Sequence, residues 1–428
     1  MSSPPRSPVL LTDRYELTMV DAALRAGTAD RRVAFAVFAR GLPAGRRYGV
    51  VAGTGRLLDA LAEFRFGDAE LAFLEQQQVV GPQTLEWLAD YRFRGEIRGY
   101  GEGETYFPDS PILTVEGTFG EAVLLETLVL SILNHDCAIA SAASRMTAAA
   151  RQRPCLDMGA RRAHEEAAVA AARAAYIAGF EGTSNLAAHA RYGVPSAGTS
   201  AHAFTLLHDT EEEAFAAQVA AMGVGTTLLV DTYDVPAAIR TAVRVAGTDL
   251  GGIRLDSGDL ATEAVRARAL LDELGARDTQ IVVTSDLDEY AVAALAAAPV
   301  DRYGIGTSLV TGSGHPTARL VYKLIAREDA DGWVPLAKAS AGKATVGGRF
   351  CAFRRTRGGR AVAEVLRAVP EAGPDERPLL RDLVREGEIV GAEPLEEARE
   401  RHARSRAELP EQALRLSPGS PVIPTEWA

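Results

Sequence analysis

The chain has 428 residues, of which 47% are hydrophobic, and a formal charge of -11. That is enough apolar material for a large core and more than one domain. The acidic balance carries no basic footprint for nucleic acid or an anionic membrane surface, so a phosphorylated ligand has to meet a local basic site. Cys137, Cys155 and Cys351 are too scattered for a zinc site and read as reduced, structural thiols.

In chain order, Met1 to Pro8 hold one Arg and no apolar run, so no signal peptide is expected and a cytoplasmic location follows. Asp13 opens a helix that contains Tyr15, and Val33 to Phe38 read as a strand. The longest apolar run, Ala122 to Leu133, contains Glu126 and Thr127 and is too short to span a bilayer; it predicts a core helix. Strands are expected at Pro154 to Met158, Ile177 to Gly182 and Pro195 to Gly198, with the Ala-rich Glu165 to Ala175 as a helix among them.

From Thr227 onward one unit repeats: an apolar or β-branched run, a turn of Asp, Ser, Gly or Thr, then an amphipathic helix. The runs are Thr227 to Asp231, Gly252 to Asp256, Gln280 to Ser285 and Asp301 to Ile305, with helices at Leu260 to Leu274 and Glu289 to Ala298. This is the pace of βα units and predicts an α/β fold, either a parallel barrel or a doubly wound sheet. Trp333 to Arg367 has strand-like runs broken by glycines, and Pro370 to Ala428 reads as a helix plus an extended tail. The expected domains are a mixed α+β domain over 1–125, an α/β domain over 126–325, and a segment over 326–428 that returns to the first domain.

The polar residues of interest follow the strands, where ligand sites of parallel α/β folds collect. Arg254, Asp256 and Asp259 offer a cation and two carboxylates around Gly258, suited to a carboxylate ligand and to ribose or Mg2+. The competing reading is a helix cap, Ser257 or Asp259 before Leu260, which explains one Asp but not the Arg within the strand. Gly304, Gly306 and Thr307 can cradle a phosphate at the end of a late strand. His202 follows Gly198, Thr199 and Ser200, and a histidine so placed is a base, a proton donor or a phosphoryl-accepting nucleophile. His189 and His402 read as helical and solvated.

These motifs, in this order, resemble the nicotinate phosphoribosyltransferases. The likeness runs nearly end to end: Leu10 to Thr18, Phe35 to Arg40, Tyr48 to Gly53, Glu116 to Arg145, Gly182 to His202, Arg254 to Leu260, Gly304 to Thr307 and Lys338 to Lys343. It implies an incomplete TIM-like α/β barrel with a second α+β domain built from both chain ends, and a homodimer. It also implies ATP-coupled transfer of phosphoribosyl from 5-phosphoribosyl 1-diphosphate to nicotinate, with Mg2+ and ATP required. By the same resemblance Tyr15, Thr199 and Arg254 contact nicotinate, Tyr15 from the neighbouring subunit. Gly304, Gly306 and Thr307 meet the phosphoribosyl donor, His202 is phosphorylated, and Asp256 and Asp259 lie near ribose and metal. Asp231 is the candidate partner of His202. Nicotinamide or quinolinate as acceptor, and a non-catalytic phosphosugar-binding homologue, are the alternatives. Ala203 stands where many relatives carry Ser or Glu, and Lys338-Ala-Ser340 departs from a commoner Lys-Leu-Ser.

Overall fold

A computed structural model describes residues 7–337 and 346–428. The Lys338 to Lys343 motif lies outside the described residues. The chain divides into two compact units, Met1–Ala140 with Thr317–Ala428, and Ser141–Pro316.

The first unit is built on a seven-stranded antiparallel sheet. Its order is Gly332–Pro335, Leu320–Asp329, Arg32–Ala39, Leu113–Thr118, Glu96–Tyr100, Leu380–Arg385 and Glu388–Ile389. Strand Arg32–Ala39 is central because both of its faces are apolar. Val33, Phe35 and Val37 join Leu17, Val20, Leu57 and Leu128 in the main core, while Ala34, Ala36 and Phe38 pack with Ile325 and Ala326 on the other side. A four-stranded sheet takes Glu376–Pro378, Cys351–Arg357, Arg360–Arg367 and Thr425–Trp427. The C-terminal segment is therefore more than a helix and a tail. Besides helix Leu395–Glu408 it supplies strands whose charged residues are held in ion pairs, such as Arg381 with Glu393 and Arg355 with Glu376. Charge-rich strands carry little apolar alternation, which is why the pattern hid them.

The apolar run at Ala122 belongs to a stretch, Phe119–Ala150, long and apolar enough by composition to cross a membrane. Two-thirds of its most apolar window (67%) is buried inside the protein, which makes it a core helix.

The second unit is an α/β sheet of six parallel strands, in the order Gly182–Thr183, Cys155–Asp157, Arg302–Ile305, Gln280–Val283, Gly252–Leu255 and Thr227–Leu229. The ladder does not close: Gly182–Thr183 and Thr227–Leu229 are its two edges among the described residues. Two expected strands change. Residues up to Ile177 stay helical, in Glu165–Ile177, because the Ala-rich sequence runs on through a fully buried face. Pro195 to Gly198 contribute only a single bridge, from Ser196 to Thr183.

The helices after the strands start on side-chain caps. Asn185, Asp234, Asp259 and Asp288 each accept backbone N–H bonds from the first turn that follows. Gly182–Thr183, Thr227–Leu229, Gly252–Leu255 and Gln280–Val283 therefore each end within a few residues of a fixed helix start.

Candidate active site

The strand ends of the second unit surround a cleft of about 380 Å3. Its walls include Met158, Thr199, Arg254, Asp256, Gly304, Gly306 and Thr307, so five of the expected contacts and one of the expected carboxylates share one cavity.

Arg254 sits on strand Gly252–Leu255 between Ile253 and Leu255, both fully buried. Alternation sends its side chain to the opposite face from theirs. Its guanidinium Nε is buried without a hydrogen-bond partner. Burial pulls its proton affinity below the usual arginine value, Asp256 and Asp231 oppose that, and Arg161 adds to it. A half-buried guanidinium that lines a cavity and keeps an unsatisfied N–H is suited to a planar anion.

Asp256 donates its backbone N–H to Asp231 Oδ2 at 2.9 Å, and its Oδ1 accepts the hydroxyl of Thr284. Asp259 is different. Both of its carboxylate oxygens serve the helix start, Oδ1 accepting Thr262 N–H at 3.2 Å and Oδ2 accepting the Thr262 hydroxyl at 2.9 Å. These bonds, the backbone one first, hold its carboxyl below the usual range. The cap takes up Asp259, and the carboxylate left facing the cleft is Asp256. Among the described residues no cluster of three His, Cys, Asp or Glu side chains forms a metal cage. The donor set does not fit a resident Mg2+; it suits a metal that arrives on a diphosphate, as Mg2+ commonly does.

The glycines act by close approach. A Cβ on Gly304 would lie 2.5 Å from Thr284 Cγ2 and 2.7 Å from Met158 Sδ. Gly306 precedes the single turn Thr307–Val310, which carries Thr307 to the cleft wall.

His202 starts the helix His202–Leu207 and is partly exposed (39% of its side chain). Its Nδ1 lies 3.2 Å from Thr232 Oγ1, and its Nε2 lies 3.9 Å from both Asp231 Oδ1 and Asp256 Oδ2. Asp231, the expected partner, is thus at ion-pair range, and the hydrogen bond goes to its neighbour Thr232. Tyr15 stands on helix Arg14–Arg25 of the first unit, 45% exposed. Burial, then Glu126 and Glu16, push its phenol up to about 12.

The cleft also holds residues that sequence reasoning passed over: Arg161, Arg162, Ser184, Ser285 and Asp286. Arg161 and Arg162 follow strand Cys155–Asp157, and the rule that favours strand ends applied to that basic pair as well. Asp157 organises their loop, accepting Gly159 N–H at 2.8 Å and the Thr183 hydroxyl at 2.7 Å, while burial raises its carboxyl. Ser285 has φ of 113°, a conformation that costs a non-glycine residue energy and clusters at ligand sites.

Two family profiles match the chain: the nicotinate phosphoribosyltransferase (NAPRTase) N-terminal domain over residues 10–134, and the NAPRTase family over residues 154–343. The chain belongs to the nicotinate phosphoribosyltransferase family. The nicotinate phosphoribosyltransferase PncB1 of Mycobacterium tuberculosis (strain H37Rv) is 57% identical, over 97% of this chain and 94% of that protein. Nicotinate phosphoribosyltransferase of Bacillus subtilis (strain 168) is 38% identical, over 81% of this chain and 72% of that protein. The crystal structure of human nicotinic acid phosphoribosyltransferase superposes with a TM-score of 0.83, at 26% identity, over 97% of both chains.

Proposed function

We propose that this enzyme of the nicotinate phosphoribosyltransferase family carries out ATP-coupled NAD salvage: it transfers phosphoribosyl from 5-phosphoribosyl 1-diphosphate to nicotinate, giving nicotinate mononucleotide and diphosphate. The observation that carries the reading is Arg254, a half-buried arginine in the wall of the cleft whose Nε is buried without a hydrogen-bond partner. Nicotinate differs from nicotinamide by a carboxylate, and a planar fork recognises that group. Arg254 fixes the ring so that its nitrogen faces C1 of the donor, with Thr199 beside it. Gly304, Gly306 and Thr307 hold the donor's phosphate. Arg161 and Arg162 receive the charge that builds on the departing diphosphate, which brings its own Mg2+, and Asp256 lies toward the ribose. Catalysis in this scheme is positioning and charge stabilisation, since the nucleophile is the substrate's own nitrogen.

ATP phosphorylates His202 in this reading, and breakdown of that phosphohistidine drives synthesis. The six parallel strands form part of an incomplete barrel, the enzyme is cytoplasmic, and it works as a homodimer in which Tyr15 of the partner subunit stacks on the pyridine ring. The partial exposure of the Tyr15 ring supports the last point. One assay tests the scheme: phosphoribosyl transfer with nicotinate against nicotinamide, with and without ATP, for the parent and for His202→Ala. The expected result is nicotinate preference, ATP stimulation, and loss of that stimulation in His202→Ala with residual uncoupled transfer. Nicotinamide preference without ATP stimulation overturns it.

A further inference from the structure

Two neighbouring walls of the cleft are tied together by side chains that do not themselves line it. One wall is the loop after strand Gln280–Val283, where Thr284, Ser285 and Asp286 face the cavity; it runs into helix Glu289–Ala294, which Asp288 caps. The other wall is Gly304, Gly306 and Thr307, on and just after the adjacent strand Arg302–Ile305. The single turn Thr307–Val310 leads on to Gly312, Ser313 and Gly314, all with left-handed backbone, at φ of 62°, 52° and 78°. This reversal closes the turn: the N–H groups of Thr311, Gly312 and Ser313 donate to the carbonyls of Thr307, Leu309 and Ser308 at 3.1, 2.9 and 2.7 Å. Glycine adopts that backbone freely and serine at a cost, so the Ser313 side chain has to be held from outside the turn. Its hydroxyl donates to Glu289 Oε2 at 2.7 Å, and Glu289 Oε1 accepts Arg145 Nε at 3.0 Å. The ion pair is buried, with 7% and 5% of the two side chains exposed, and the Arg145 guanidinium lies 5.9 Å from the centre of the Tyr290 ring. Burial alone would raise the Glu289 carboxyl; the Ser313 hydroxyl, its own backbone N–H and Arg145 hold it below the usual range. Glu289 is thus a charged acceptor with both oxygens engaged.

We infer that Arg145, Glu289 and Ser313 form a strut that sets the spacing between the loop at 284–286 and the turn that starts at Thr307, and so positions the phosphate-bearing end of the donor. The inference rests on the proposed reading, in which Gly304, Gly306 and Thr307 hold the donor's phosphate. Arg145 belongs to the long helix Glu126–Ala150, so a core element, and neither loop alone, fixes the register of the two walls. Each wall has local bonds of its own, the Asp288 cap on one side and the closed turn on the other. Cutting the Ser313–Glu289 bond therefore leaves both loops formed and removes only their tie. A reaction that relies on positioning is sensitive to such a shift, since about 1 Å of misplacement costs on the order of 100-fold in rate. The three are positioning residues, acting through Thr307 and the 284–286 loop.

The test compares the full-length enzyme with Ser313→Gly, Ser313→Ala and Glu289→Gln. Glycine relieves the left-handed backbone and alanine does not, so what the two Ser313 variants share is the lost hydroxyl. In both, KM for 5-phosphoribosyl 1-diphosphate is expected to rise about tenfold, the scale of one hydrogen bond to a charged group, with KM for nicotinate near the parent's. Glu289→Gln leaves Arg145 buried without its counter-charge and is expected to lower Tm as well as donor affinity. Without ligands, amide hydrogen exchange over residues 307–313 is expected to quicken about tenfold in both Ser313 variants, while helix Glu126–Ala150 exchanges as in the parent. A parent-like donor KM in either Ser313 variant, or an equal rise for both substrates, overturns the inference. A parent enzyme that transfers no phosphoribosyl to nicotinate overturns the reading beneath it. The exchange of the turn still judges the strut in that case, and parent-like exchange in the Ser313 variants overturns it.

Discussion

Arg254 pays no visible role to the resting fold, since its Nε makes no hydrogen bond where it is buried. In the proposed reading a carboxylate ligand supplies what is missing, and hydrogen bonds to charged groups contribute about 1.5–3 kcal/mol. Arg254→Ala is therefore expected to lower kcat/KM for nicotinate by roughly 10- to 100-fold, with nicotinamide turnover little changed. Equal losses for both substrates would remove the carboxylate role. Gly304 makes a second prediction at this scale. A methyl there meets Thr284 Cγ2 and Met158 Sδ well inside contact distance, so Gly304→Ala is expected to lower stability by about 1–3 kcal/mol in urea unfolding and to raise KM for the donor. Arg254 was legible in the sequence because an arginine inside an apolar strand has no structural reason to be there. Arg161 and Arg162 were not, because a basic pair in a loop looks like ordinary surface, and the sequence does not show that the expected strand before it pairs with Arg302–Ile305.

At the scale of elements, the acidic residues after the strands follow a regular division. Asp231, Asp256 and Asp286 come first after their strands and reach His202 or the cleft; Asp234, Asp259 and Asp288 come two or three positions later and cap the next helix. One carboxylate in each loop reaches His202 or the cleft and the other fixes the loop's far end. Asp259→Ala is accordingly expected to lower Tm modestly while kcat and the Mg2+ dependence stay near the parent's, whereas Asp256→Ala lowers kcat and leaves Tm nearly unchanged. The reverse pattern would return Asp259 to the metal. The βα alternation and most strand positions were readable from periodicity. The split within each loop was not, because it depends on which oxygen meets which N–H, and both Asp residues fit both roles in sequence. His202 shows the same limit: its importance was legible, but its hydrogen bond to Thr232 in place of Asp231 follows from strand-end geometry.

The molecule as a whole hides charge as well as apolar surface. His402, expected on a solvated helix face, is 2% exposed, because helix Leu395–Glu408 passes so close to Gly103 that a Cβ there would lie 2.0 Å from Ala398 O. Burial lowers the His402 pKa from 6.5 to about 3. The folded protein keeps the ring neutral while the unfolded chain protonates it below about pH 6.5, so this contribution is complete above that pH and is lost progressively toward pH 3. Urea unfolding at pH 6.5 and pH 5 is expected to show a fall in stability approaching about 1.4 kcal/mol per pH unit that His402→Leu lacks. An unchanged slope would mean that the ring titrates normally. Helix periodicity alone could not place this residue, since its burial comes from a glycine some 300 positions earlier in the chain. That long reach has a counterpart in how the chain is made. The first unit draws on both ends, and its central strand Arg32–Ala39 pairs on one side with Leu320–Asp329, while the α/β unit is one uninterrupted stretch. On the ribosome, where chains emerge N-terminus first, the α/β unit can complete itself while Arg32–Ala39 still waits with one edge open. Until Leu320–Asp329 has emerged, that edge of Arg32–Ala39 lacks its partner, and the half-made sheet is the species expected to associate wrongly during synthesis.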